Sequence, residues 1–100
     1  MFKLVQSSDF GAWLRNLSDR QGKARVLARL RRAELGNLGD CKAVGSGVLE
    51  MRVHCRGGYR VYFIGNGETI HLLIGGDKDS QARDIERARV LAKALRECIQ

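Results

Sequence analysis

One hundred residues make one domain with one modest core and leave no room for a separate cofactor-binding domain. Hydrophobic residues at 44% exclude a disordered chain. Lys and Arg number 18 against 11 acidic residues, a net charge of +7, and most of that charge is Arg, whose planar fork grips phosphate and stacks on bases. A nucleic-acid target accounts for the excess most simply. Cys41, Cys55 and Cys98 are odd in number and irregular in spacing, which argues for reduced thiols rather than a disulfide framework. The first eleven residues lack the apolar core and cleavage site of a signal peptide, and no apolar run approaches a membrane span. A cytoplasmic protein is expected.

In chain order, Phe2 to Val5 predicts a short edge strand. Ser7, Ser8 and Asp9 supply N-cap chemistry, and Phe10, Trp13, Leu14 and Leu17 follow at helical spacing, so a first helix ends near Asn16 or Leu17. Trp13 reads as a core residue. A second helix runs from about Asp19 to Leu35. Its apolar positions are Ala24, Val26, Leu27, Ala28, Leu30 and Ala33, its basic ones Arg25, Arg29, Arg31 and Arg32, and Gly36 sits where a terminating glycine belongs. Residues 36–47, GNLGDCKAVGSG, form a glycine-rich connector with room for a short strand at Lys42 to Val44.

The period then changes to two. Val48 to His54 sets Leu49, Met51 and Val53 against Glu50, Arg52 and His54. Tyr59 to Ile64 sets Tyr59, Val61 and Phe63 against Arg60, Tyr62 and Ile64. Thr69 to Ile74 sets Ile70, Leu72 and Ile74 against Thr69, His71 and Leu73. With Asn66-Gly67 as a two-residue turn, Phe63 faces Ile70, Val61 faces Leu72 and Tyr62 faces His71. For the first hairpin the preferred pairing is Arg52 with Tyr62 and His54 with Arg60; a slip by two residues places Arg52 opposite Arg60. Gly75-Gly76-Asp77 ends the meander, and Ser80 caps a last helix reaching about Cys98, with Ile85, Ala88, Ala92, Leu95 and Ile99 as its buried stripe. The expected class is α+β: a small antiparallel sheet, made of the N-terminal strand and the three-stranded meander, packed on a two-helix hairpin, with a C-terminal helix, all in one domain spanning 1–100.

One face of this meander is apolar and covered by helices. The other carries Glu50, Arg52, His54, Arg60, Tyr62 and His71. A solvated sheet face with scattered charge would look similar, but such a face is commonly built from Lys, Glu, Thr and Ser, not from groups that bind phosphate and move protons. Metal-free RNA cleavage needs a base for the 2′-hydroxyl, cations for the pentavalent phosphorus and an acid for the leaving 5′-oxygen. Arg52 and Arg60 suit the charge; His54, His71 or Tyr62 suit the protons. His54 and Cys55 with Cys41 and His71 match no standard zinc spacing, Gly57-Gly58 and Gly75-Gly76 form no phosphate loop, and no cofactor or metal is expected. The arginines of the second helix read either as a solvated face or as a surface for phosphates or an acidic partner.

Three motifs in combination carry a resemblance: LGNLGD (Leu35 to Asp40), E-x-R followed by GYRVYF (Glu50 to Phe63) and GGDK-x-SQ (Gly75 to Gln81). With the sequence around them, from Trp13-Leu14 into the last helix, they resemble the addiction-module killer proteins of the RelE/ParE toxin superfamily, in the HigB-like or phage Gp49-like branch. The resemblance implies the toxin of a type II toxin–antitoxin pair that cleaves mRNA on the ribosome and inhibits translation. It implies Arg52, Arg60, Tyr62, His54 and Lys78 as catalytic candidates, and Arg25, Arg29, Arg32, His71 and Gln81 as residues that contact nucleic acid or ribosome. A cognate helix-turn-helix antitoxin from the adjacent gene is the implied partner, with operator DNA bound only through the complex, and no membrane. The chain departs from that pattern at its end, ALRECIQ, which has no Tyr or His where many such toxins carry a catalytic one. ParE-like toxins, which poison gyrase and cleave nothing, are therefore the alternative.

Overall fold

Ser7 and Asp19 start the two N-terminal helices, and both do so by side-chain capping. In the computed structural model, which describes residues 1–99, a short strand β1 (Lys3–Gln6) leads to Ser7, whose hydroxyl accepts from the Phe10 amide at 2.9 Å and donates to the Leu73 carbonyl at 2.6 Å. Helix α1 (Ser8–Asn16) follows. The Asp19 carboxylate accepts from the Gly22 amide at 3.0 Å and opens α2 (Arg20–Glu34). Gly36, at φ +101°, ends α2, with the Asn37 amide turned back onto the Arg32 carbonyl, a left-handed stop that glycine makes at least cost.

The connector holds β2 (Cys41–Ala43), and the meander is β3 (Leu49–Val53), β4 (Tyr59–Asn66) and β5 (Thr69–Gly76), followed by α3 (Gln81–Ile99). The five strands lie in the order β1-β5-β4-β3-β2. The α+β class is as expected, but the sheet is mixed. β1 runs parallel to β5, with Lys3 beside Thr69 and Gln6 beside Leu72. Residues 7–68 separate β1 from β5, so no hairpin constrains their direction.

Both hairpin registers differ from the expected ones. In the first, Arg52 lies opposite Arg60 and Glu50 opposite Tyr62, the slipped alternative, because the turn is wider: Val53 and Tyr59 close it and residues 54–58 form the loop. In the second, Asn66 pairs with Thr69 and Phe63 with Leu72, so the turn residues are Gly67, at φ +61°, and Glu68. A two-residue slip preserves the inside–outside alternation, so hydrophobic pattern alone does not choose between these registers. A bulge then leaves Leu73 unpaired between Phe63–Leu72 and Tyr62–Ile74. It turns Ile74 away from the α1/α2 side and brings Gly75 beneath the Trp13 ring, where an added Cβ would lie 2.2 Å from the indole.

Two apolar layers result, one on each face of the sheet. Phe10 and Leu14 of α1 and Val26, Leu30 and Ala33 of α2 pack on Met51, Val53, Val61, Phe63, Ile70 and Leu72. Trp13 is half-buried at the margin of this layer, edge-on to Tyr59. On the opposite face α3 lays Ala88 and Ala92 over Val48, Tyr62, Ile64 and Leu73. The second face is therefore not a solvated one. Small residues at i and i+4 let the α3 backbone come close, and only the part of that face near the β3–β4 turn stays open. Ile99, placed in the buried stripe by its spacing, is 42% exposed.

Candidate nucleic-acid interface

Among the described residues, four arginines donate to backbone carbonyls: Arg29, Arg60, Arg89 and Arg96. Arg29, 8% exposed, donates from Nη2 to the Leu38 carbonyl at 3.1 Å and to the Arg52 carbonyl at 3.3 Å. Its guanidinium lies against Gly39, at φ +66°, where an added Cβ would fall 2.2 Å from Nη1. The expectation of Arg29 as a surface contact residue is thus corrected: it fastens the connector to the sheet. The helical spacing showed a basic stripe but not the loop that folds over its middle member. On α3, Arg89 donates to the Val44 carbonyl and Arg96 to the Ser46 carbonyl, clamping the glycine-rich loop before β3.

Arg52 and Arg60 are side by side on neighbouring strands. With Val53, His54, Cys55, Gly58 and Tyr59 they line an open cleft of about 320 Å³ at the β3–β4 turn. Arg60 also donates from Nη1 to the Gly58 carbonyl at 2.9 Å. Lys78, just after β5, is exposed and lays its aliphatic stem over Gly58, 3.3–3.5 Å from where a Cβ there would be. Its ammonium-bearing chain is therefore at the margin of the same cleft. His54 is in the loop, not on a strand, and its Nε2 lies 2.6 Å from the Asp40 carboxylate.

Tyr62 and Gln81 are near these cations but face inward. The Tyr62 hydroxyl is fully buried and donates to Glu50 Oε2 at 3.0 Å. Burial first, then the Glu50 carboxylate, raises its pKa far above that of a free phenol. As a proton carrier it is withdrawn from the cleft. Gln81, the first residue of α3, donates from Nε2 to the same Glu50 oxygen at 2.9 Å. His71 is not brought to the site: it pairs with Ile64, four residues along β4 from Arg60, roughly 13 Å at the strand rise.

His54 links the sheet cleft to two further clefts against α2. One is lined by Arg25, Ala28, Arg29, Arg32, Asp40, Val53 and His54, the other by Asp19, Gly22, Arg25, His54, Cys55 and Arg56 among others. Arg25 and Arg32 are exposed and line clefts that adjoin the sheet cleft at His54. Sequence reading missed Asp40 as the partner of His54 and Glu50 as the centre of the buried network, although both lie in quoted motifs. The signal for Glu50 was its i, i+2 spacing from Arg52 on a strand, which places the two on one face.

A basic cleft on one face of a five-stranded sheet, flanked by helix arginines, fits binding of a phosphate backbone. The model of the family described as "Phage derived protein Gp49-like (DUF891)" matches residues 12–96, and the chain belongs to that family. An uncharacterized protein of Haemophilus influenzae is 44% identical to it over 87 residues, covering 86% of this chain and 88% of the relative. Among the described residues no helix is long and apolar enough to cross a membrane.

Proposed function

We propose that this chain is the toxin of a type II toxin–antitoxin pair and that it cleaves mRNA on the ribosome. The observation that carries the reading is the Arg52–Arg60 cross-strand pair facing an open cleft. Like charges directly opposite each other destabilise a sheet; here one buried carboxylate, Glu50, lies beside both, and two cations against one anion leave a net positive charge at the cleft. The kinship with RelE/ParE toxins, carried by LGNLGD, E-x-R, GYRVYF and GGDK-x-SQ, belongs to this proposal, as do the ribosome and the adjacent-gene antitoxin.

The chemistry distributes as follows. The 2′-oxygen of the RNA attacks the adjacent phosphorus as its proton leaves to a base, and the P–O5′ bond breaks as an acid protonates the departing oxygen. Arg52 and Arg60 stabilise the extra charge on the phosphoryl oxygens. With Tyr62 withdrawn, His54, held by Asp40, and Lys78 remain, of the catalytic candidates, to carry the protons. A second reading, a gyrase poison, is favoured by one observation: the buried Tyr62 leaves the cleft with fewer proton carriers than the sequence offered. Inducible expression separates the two. The nuclease reading expects translation to stop with new mRNA 5′ ends inside codons. Filamentation and broken DNA with intact mRNA would support the gyrase reading and overturn the first.

A further inference from the structure

Glu50 is wholly buried on β3. Its Oε1 accepts from Arg52 Nε at 3.4 Å. Its Oε2 accepts from the Tyr62 hydroxyl and from Gln81 Nε2, and lies 3.7 Å from Arg60 Nε. A buried carboxylate is a net cost unless it is paired and hydrogen-bonded, and replacing such a set by apolar side chains often stabilises a protein. The arrangement therefore points to a role in specifying geometry.

Arg52 meets Glu50 by a hydrogen bond from Nε; Arg60 meets it as an ion pair only, its buried Nε 3.7 Å away and without a hydrogen-bond partner among the described residues. Holding Nε orients the Arg52 fork. Arg60 is further fixed by the Gly58 carbonyl. Among the described residues, the terminal nitrogens of Arg52 have no protein partner, and Arg52 is the more open of the two, at 38% against 18% side-chain exposure. We propose that Glu50 is a positioning residue that sets Arg52 and Arg60 as a two-cation clamp for a single RNA phosphodiester, and that Gln81 fastens this clamp to the first turn of α3. Glu50 itself has no access to substrate, so it takes no proton from it.

The inference rests on the reading of the cleft as an RNA site, and the sign of one effect tests it. By charge alone, removing a carboxylate beside a phosphate site tightens binding. By positioning, it loosens binding, because two-pronged recognition needs the forks fixed. The experiment measures binding of a 2′-O-methyl RNA oligonucleotide, which cannot be cleaved, to the wild type and to Glu50→Gln, alone and in an Arg52→Ala/Arg60→Ala background. The expected result is binding about fivefold weaker for Glu50→Gln, and no further loss when the arginines are already gone. Unchanged or tighter binding, or a loss that persists without the arginines, overturns the clamp.

Thermal melting checks that Glu50→Gln folds. If it does not, Gln81→Leu removes one anchor of the carboxylate from the helix side, and about twofold weaker binding is expected; unchanged binding overturns the proposal. Ribosome-dependent cleavage by the wild type is scored in parallel. Cleavage together with unchanged or tighter Glu50→Gln binding sinks the clamp and leaves the nuclease reading standing. The predicted binding pattern without any cleavage sinks the nuclease reading and leaves the clamp standing. A wild type that neither binds nor cuts sinks both.

Discussion

Under α1 and α2 the sheet presents Met51, Val53, Val61, Phe63, Ile70 and Leu72. Under α3 it presents Ile64 and Leu73 together with Glu50 and Tyr62, with Val48 just before β3 beside them, and then opens onto Arg52 and Arg60. The first face is almost entirely apolar, and its one polar member at the margin, Tyr59, gives its hydroxyl to Asp19 at 2.8 Å. The second buries a carboxylate and a phenol at full depth. A 100-residue domain has little stability to spare, so the polar set on the α3 side is placed where geometry matters, and the α1/α2 side supplies the cohesion that lets it stay there.

The largest expected effect belongs to the cohesive face. Phe63→Ala, which empties a position 1% exposed, is predicted to cost about 3–5 kcal/mol in urea denaturation; a loss under about 1 kcal/mol would mean that this face does not carry the fold. Next comes the open end of the other face. Arg52→Ala and Arg60→Ala are each predicted to lower ribosome-dependent cleavage about 100-fold, by analogy with removing one charge-stabilising donor. Wild-type rates in both would move the site elsewhere.

A smaller effect sharpens the contrast at Tyr59. Its hydroxyl is pushed up to about 12, by burial first and then by the Asp19 carboxylate that accepts from it, from an ordinary value of 10.0. The folded state thus holds this proton more tightly than the unfolded chain. The stability this contributes is complete below pH 10 and is lost as pH rises toward 12. Tyr59→Phe is predicted to cost about 1 kcal/mol at neutral pH and to flatten that alkaline decline; an unchanged decline would assign it to another group. Asp19 works in the opposite sense. Its carboxyl is held below 3.8 by the Gly22 amide and the Tyr59 hydroxyl, so its contribution is present above that value and fades as pH falls.

The smallest effect on stability is expected at His54, whose side chain is 76% exposed. His54→Ala is predicted to leave the melting temperature in place while lowering cleavage, if His54 carries a proton. A large drop in melting temperature would make it a structural residue instead.

The two faces were unequally legible in the sequence. The apolar one is written in alternation and helical spacing, which survive an error of register, and so the elements and the α+β class followed from pattern. The polar one depends on what covers it. Glu50, Arg52, Tyr62 and Arg60 alternate with hydrophobics just as a solvated face would, and nothing in that pattern reveals that Ala88 and Ala92 bring α3 down onto it. The wide 54–58 turn and the bulge at Leu73 set which residues are neighbours, and neither has a two-residue turn signature. Arg29 shows the same limit on α2: a basic residue at i+4 from Arg25 looks solvated until the connector closes over it at Gly39. The candidate cations Arg52 and Arg60 were named from residue type and motif, but their being direct cross-strand partners is a matter of register.

The central claim is that function sits at the open end of the α3 face, in the Arg52–Arg60 pair. Its most direct measurement is mapping of mRNA 5′ ends after induced expression of the wild type and of the Arg52→Ala/Arg60→Ala double variant, with folding of both confirmed by thermal melting. The account predicts new 5′ ends within translated codons for the wild type and none for the folded double variant. Cuts at the same positions and frequency from the double variant, or arrested growth with intact mRNA from the wild type, would contradict it.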